Sequence, residues 1–236
     1  MGRIFEKRKH KMFARYDRMA KSFTKIGREI AIAVREGGGD PKYNARLRIA
    51  VQNAKGVNMP KDRIEAAIKR ATSKDEQGFQ QSLYEGYAPH GIAVLVECAT
   101  DNPTRTVANV RHHFTKHNGS LAANGSVAFM FERKGVFKFP AGAITNVEEF
   151  ELEFIDHGLE ELEQDDHEIV VYTSFNDFGK IQKILEDKGI VATSAEWHYL
   201  PTTTKELSED HAKEVLEMIE DLEADDDVQS VYHTLR

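Results

Sequence analysis

The apolar residues of this chain follow two different periods, and the change from one to the other decides what it can fold into. Between Phe23 and Val34 they fall three and four residues apart (Phe23, Ile26, Ile30, Ala33, Val34), the stripe of an amphipathic helix, and Gly37-Gly38-Gly39 ends it. A second helix is expected to start at Asp40 as N-cap with Pro41 in its first position, and to run through Leu47, Ala50, Val51 and Ala54. A third begins near Pro60 and repeats through Ile64, Ala67, Ile68 and Ala71. Three such helices bury their stripes against one another as a small bundle.

Past a polar stretch at 72–82, read as a linker, strands and helices alternate. Ile92 to Cys98 is a largely apolar run of strand length. Asp101-Asn102-Pro103 then caps a helix with Val107, Val110 and Phe114 on its inner face, and Val127, Phe129 and Phe131 alternate in a strand over 126–131. From Gly135 the pattern restarts with a strand at 136–139, a helix at 147–156, a strand at 169–172, a helix at 177–188 and a strand at 191–198, enough for a complete split βαβ unit. The tail adds a helix over 208–222, with Ser208 as N-cap and Glu209 and Asp210 in its first turn, and a strand over 228–235. One helix and one strand are what the middle unit lacks. The expected fold is therefore α+β in three domains. A basic three-helix bundle spans 1–78, a discontinuous split βαβ (ferredoxin-like) domain spans 79–134 plus 201–236, and a second such domain at 135–200 is inserted in it.

The 236 residues carry a net charge of −7, which conceals a reversal. Residues 1–75 hold 20 Lys and Arg against 8 Asp and Glu, net +12, while residues 76–236 hold 12 against 31, net −19. A basic block of that length points to a polyanion partner, and the acidic remainder would repel phosphate from much of its own surface. Met1 to Arg18 is basic, interleaved with Phe5, Phe13 and Tyr16, and has no clean period, so it reads as disordered until it meets a partner. Those three aromatics suit stacking on unpaired bases, whereas Phe23 belongs to the helix core. No run of about 18 apolar residues is present, and the start lacks the apolar stretch of a secretory signal, so a cytoplasmic protein without membrane contact is expected. Cys98, the single cysteine, lies within the apolar run and reads as a core residue.

Catalytic motifs are missing. Gly37-Gly38-Gly39-Asp40 follows a helix and lacks the Lys-Ser/Thr of a phosphate loop, so it reads as a helix stop. His113 and His117 share a helical face at a spacing that can hold zinc, without an obvious third ligand. Ser126 opens a strand rather than a nucleophile elbow. The carboxylates at 148–153, 160–166 and 225–227 lie in runs of the kind that cover solvated faces or turns, and none has EF-hand spacing. A metal-assisted enzyme with an acidic interdomain cleft is the alternative they leave open. Arg105 and Arg111 follow the capped helix start at Asn102, where backbone N–H groups and the helix dipole favour a phosphate; pairing with the acidic tail is the competing reading.

In order along the chain, Gly37-Gly-Gly-Asp-Pro41, Asn44-Ala-Arg-Leu47, Asn58-Met59-Pro60, Tyr84-Glu-Gly-Tyr87, Thr100-Asp-Asn-Pro-Thr-Arg-Thr106, Val110-Arg111, Gly125-Ser-Val127 and Phe131-x-x-x-Gly135 resemble the YebC family. The resemblance covers nearly the whole chain. It implies a helical domain plus two α+β domains, and a regulatory role either on DNA or as a ribosome-associated translation factor, since the family includes the mitochondrial translational activator of cytochrome oxidase. It implies no catalytic residue. The chain departs from the family at its start, where Gly2-Arg3-Ile4-Phe5-Glu6 replaces the usual Gly-His-Ser-Lys-Trp, which is similar to the divergent YeeN branch.

The expected function is that of a non-enzymatic nucleic-acid-binding regulator. Its contacts are expected from Arg3, Lys7, Arg8, Lys9, Lys11, Arg15, Lys21, Lys25, Arg28, Arg46, Arg48, Lys55, Lys61, Arg63, Arg105 and Arg111. No catalytic residue, metal or cofactor is expected. The expected partner is DNA or ribosomal RNA, with the ribosome as a candidate, and a monomer is favoured. No helix-turn-helix spacing stands out, and cations mixed with aromatics suit structured RNA at least as well as a major groove.

Overall fold

In a computed structural model the described residues are 3–73 and 78–236, with side chains described from residue 19 onward. The chain opens with three helices, α1 (Arg3–Gly37), α2 (Ala45–Gly56) and α3 (Lys61–Ala71). α1 begins far upstream of its apolar stripe, so the segment read as disordered is helical. Residues 3–18 contain no glycine or proline and are rich in strong helix formers such as Glu6, Lys7, Met12 and Ala14. Such a segment extends a helix nucleated further along without needing a period of its own.

The start of α2 also differs from expectation. Asn44, not Asp40, is the cap: its Oδ1 accepts from the Leu47 amide at 3.0 Å, while its Nδ2 donates to the carbonyls of Ala33 (2.7 Å) and Gly38 (2.8 Å). Asp40 instead closes an Asx turn by accepting from the Lys42 amide at 2.9 Å, which places Pro41 in the turn. Ile30, Ala33, Val34, Leu47, Ala50, Ala54, Met59 and Ile64 form the bundle core, with Phe23 packed against it.

The remainder contains β1 (Gln80–Ala88), β2 (Ile92–Thr100), α4 (Pro103–Lys116), β3 (Ser120–Leu121), β4 (Phe131–Pro140), α5 (Val147–Ile155), β5 (Leu159–Gln164), β6 (Glu168–Ser174), α6 (Phe178–Asp187), β7 (Ser194–Pro201), α7 (Glu209–Ala224) and β8 (Val228–His233). Two antiparallel sheets result, in the orders β3-β1-β2-β8 and β5-β6-β4-β7. The second, threaded β4-α5-β5-β6-α6-β7, is a split βαβ unit. The first has the same spatial order, but β1, which precedes the unit in the chain, fills the place of its third strand. The fold is α+β, with one sheet formed within the sequence of the other.

β1 occupies part of the stretch read as a linker and pairs with β2 along its full length, from Gln80 opposite Thr100 to Ala88 opposite Ile92. Its alternation is masked in sequence by Glu85 and Gly86, both buried. The strand expected at 126–131 is instead a loop with a 3₁₀ turn at Ala128–Met130, leaving Phe129 76% exposed and only Phe131 in a strand. The cause is the buried Glu85 carboxylate, which accepts from the amides of Gly125 (2.6 Å), Val127 (2.7 Å) and Ala128 (2.9 Å). Those amides are thereby satisfied without a strand partner.

Apart from Glu97 and Thr100, β2 is apolar because both its faces are covered. Ile92, Val94, Val96 and Cys98 face α4 and α7 together with Phe114, Val215, Met218 and Leu222. Ala93 and Leu95 face Val127 and Phe131. Burial, with Asp225 and Asp227 nearby, pushes the Cys98 thiol up to about 12. The second sheet packs Phe137, Phe139, Ile169 and Val171 against Phe150, Phe154, Phe178 and Leu185 of its helices. The acidic run at 160–166 lies largely in β5, an edge strand, where exposed Glu160, Glu161 and Glu163 discourage further strand pairing. Among the described residues no helix is long and apolar enough to cross a membrane.

Candidate nucleic-acid interface

The cations of the helical unit divide into two groups, those that face solvent and those that hold the unit against the sheets. Lys21 and Lys55 are exposed and make no ion pair among the described residues, and Lys61 and Arg63 are exposed on α3. Lys61 reaches Glu65 at 3.5 Å one turn on, and Arg63 lies over the Phe23 ring at 5.7 Å. Only Ile64 of α3 is buried, so the rest of that helix, including Lys69 and Arg70, stays at or near the surface. Val57–Pro60 forms a tight turn between α2 and α3 with Asn58 in the left-handed region at φ 59°, a short helix-turn-helix connection that sequence spacing did not reveal.

Lys25 and Arg28 face inward. Lys25 donates to the Gln229 carbonyl at 3.0 Å, and burial pulls its ammonium below the ordinary lysine range. Arg28 donates to the Ala99 carbonyl at 2.9 Å and to Asp227 Oδ1 at 2.8 Å. Arg46 pairs with Glu36 at 2.6 Å, and Arg48 with Glu186 of α6 at 3.0 Å. The same face carries Asn53, which pairs with the β7 backbone as a strand would: Nδ2 donates to the Ala195 carbonyl at 2.9 Å and Oδ1 accepts from the Ala195 amide at 2.8 Å. Gly56 permits this approach, since a Cβ there would lie 1.8 Å from the Thr193 carbonyl oxygen.

Arg105 and Arg111 part company. Arg105 bonds Asp227 Oδ2 at 2.8 Å and Asp101 at 2.9 Å, which is the acidic-tail pairing. Arg111 is exposed and has no ion pair among the described residues. Asp227 belongs to a run read as a solvated face, yet it is only 3% exposed and also accepts from Thr106 Oγ1 at 2.7 Å. Burial alone would raise its pKa, but the bonds from Arg105, Thr106 and Arg28 outweigh that and hold the carboxyl below the usual range. His113 and His117 meet Asp225 (3.6 Å) and Asp221 (2.8 Å), seaming α4 to α7. The side chains of Arg3, Lys7, Arg8, Lys9, Lys11 and Arg15, and of Phe5, Phe13 and Tyr16, lie outside the described side chains.

Sequence reasoning passed over Tyr43. It is 87% exposed beside exposed Lys42, on a turn fixed by the bonds of Asn44 and Asp40 and by Gly38 at φ 85°. The available signal was an aromatic between glycine punctuation and a cap, a position with no partner in any apolar stripe.

Residues 3–74 match the family model described as the TACO1/YebC protein N-terminal domain, and residues 79–235 match the TACO1/YebC second and third domain. A protein of Myxococcus xanthus named "Probable transcriptional regulatory protein" is 53% identical, with all of both chains covered. One of the same name from Cytophaga hutchinsonii is 53% identical over all of this chain and 98% of its own. The crystal structure of a conserved hypothetical protein, Aq1575, from Aquifex aeolicus superposes with a TM-score of 0.81 at 39% identity, covering 92% of this chain and 90% of that one. From its helical unit through both sheets, the chain belongs to the TACO1/YebC family.

Proposed function

We propose that this protein is a nucleic-acid-binding regulator that holds the phosphate backbone with the exposed cations of its helical unit. The observation that carries this reading is the placement of Lys21, Lys55, Lys61 and Arg63 in solvent on that unit, while the part of the chain beyond it is strongly acidic. Cations already engaged within the fold, Lys25, Arg28 and Arg105 above all, are positioning elements in this account rather than phosphate contacts. Cations of this kind give affinity and register without reading sequence.

DNA is the target that the relatives' name, transcriptional regulatory protein, suggests, and the short turn between α2 and α3 leaves α3 free to approach a groove. Tyr43 favours a second reading, in which the target is RNA and the protein acts on translation. An aromatic side chain 87% exposed on a fixed turn next to a lysine suits stacking on an unpaired base. Crosslinking the intact protein in cells and sequencing the bound DNA and RNA tests both. Enrichment of promoter DNA supports the first reading, enrichment of ribosomal or messenger RNA the second, and enrichment of neither rejects the proposal.

A further inference from the structure

The helical unit is fastened to the two sheets mainly by polar bonds. Its core, which runs from Ile30 to Ile64, is its own. Among the described residues only Ile49 of the unit packs into the core of a sheet, that of β5-β6-β4-β7. What holds the unit in place is a set of donors that end on the sheets. Lys25 Nζ donates to the Gln229 carbonyl at 3.0 Å, and Arg28 to the Ala99 carbonyl at 2.9 Å and to Asp227 at 2.8 Å. Arg48 Nε donates to Glu186 at 3.0 Å, and Asn53 pairs with the backbone of Ala195. Between these bonds α1, α2, β2, β7 and β8 leave an open cleft of about 240 Å³ instead of close packing. One connection, between Ala71 and Gln80, joins the unit to the rest of the chain.

An interface of this composition suits reversible association, because parting it exposes little apolar surface and returns each polar group to water. Three of the groups released are cations, and their present acceptors, carboxylates and carbonyls, are ones that a phosphate oxygen can replace. We propose that the docked arrangement is an autoinhibited state, in which the sheets occupy Lys25, Arg28 and Arg48 in place of phosphate, and that nucleic acid binds the undocked form more tightly. This rests on the phosphate grip proposed above and extends it: cations that hold position when docked become contacts when released. The charge reversal along the chain gives the competition its direction. The acidic remainder, net −19 over residues 76–236, attracts the basic unit and repels the polyanion that would displace it. A ligand shifts such an equilibrium only by its differential affinity for the two states, which the three added contacts supply.

Gly56 offers a way to open the interface without altering a cation. It ends α2 without a left-handed φ, yet a Cβ there would lie 1.8 Å from the Thr193 carbonyl oxygen, so Gly56→Ala wedges α2 away from β7. Gly27→Ala in α1, where a Cβ meets nothing within 4 Å, is the matched control. Trp197, the one tryptophan of the chain, lines the cleft, so its emission moves to longer wavelength when α1 and α2 leave. The intact proteins are titrated with labelled poly(U) RNA and with a labelled DNA duplex across a salt series, following both anisotropy and Trp197 emission. In the wild type and in Gly27→Ala the emission should shift in step with binding. Gly56→Ala should be shifted from the outset and bind at least about tenfold more tightly, the factor by which a competent state populated to about 10% or less reduces apparent affinity. Adding Arg28→Ala to Gly56→Ala should then weaken binding and lower the log–log salt slope by about 0.7–0.9, the loss of one phosphate contact. Asn53→Ala, which removes both bonds to Ala195, is a second opener that decides the matter if Gly56→Ala fails to fold. Binding with no shift of Trp197, or an opened variant that binds no more tightly than the wild type, would overturn this inference and leave the phosphate grip standing. Absence of nucleic-acid binding in every protein would overturn both.

Discussion

Asp227, at the entry to the last strand, binds Arg28 of the first helix at 2.8 Å, joining residues 199 positions apart. The same carboxylate holds Arg105 at 2.8 Å and the Thr106 hydroxyl at 2.7 Å, so one side chain fixes α1, α4 and β8 together. Replacing Asp227 with alanine leaves a half-buried guanidinium uncompensated and is expected to cost about 3–5 kcal/mol, measured by chemical denaturation. Because the carboxyl's pKa is lowered in the folded state, this contribution is present above the ordinary aspartate range and is lost as pH falls through the folded value. The wild type should lose stability on acidification more steeply than Asp227→Ala.

Glu29 has the opposite sign. Its pKa is raised from 4.5 to about 7, so the fold favours the protonated form and this contribution is full below 4.5 and lost as pH rises toward 7. Glu29→Gln, which cannot ionise, should therefore be more stable than the wild type at pH 8, by about 1–3 kcal/mol, with the two converging as the pH falls below 4.5. Equal melting at both pH values would show that the carboxylate is relieved by water or a ligand.

Deleting the chain from Ser208 onward removes α7 and β8. It strips Val215, Met218, Leu222 and Val228 from the core beneath β2, and it removes Asp227 as well. The expected outcome is loss of the cooperative melting transition of the β3-β1-β2-β8 sheet rather than a trimmed tail. An unchanged transition by calorimetry would contradict this.

Arg105→Ala and Arg111→Ala separate packing from binding. Arg105 is held by Asp227 and Asp101, so its loss should lower the melting temperature. Arg111 is exposed and unpaired, so its loss should leave stability unchanged and, if it touches phosphate, lower the salt slope of nucleic-acid binding by about one contact.

Those pairings mark the boundary of what the sequence could reveal. Apolar spacing located the three helices, the strand at Ile92, the elements from Gly135 onward other than β5, and the helix and strand of the tail, because burial writes its period directly into the chain. Polar roles are decided by distant partners and leave no local trace. Asn44 outcompetes Asp40 as cap because its amide also meets Ala33 and Gly38. Residues 126–130 look like a strand until the Glu85 carboxylate, some 40 residues upstream, is seen to take their amides. Lys25 and Arg28 count the same as Lys21 in a charge tally, although they face the last strand and Lys21 faces water.

Exposed cations of the helical unit are proposed to grip phosphate. The direct measurement is fluorescence anisotropy of the intact protein with labelled RNA and duplex DNA across a salt series, comparing the wild type with a variant in which Lys21, Lys55, Lys61 and Arg63 are all alanine. The predicted result is a log–log slope that falls by about 0.7–0.9 for each contact removed, roughly three units for the four together, with the melting temperature little changed. Binding that is insensitive to salt, or that is equal in the two proteins, would contradict it.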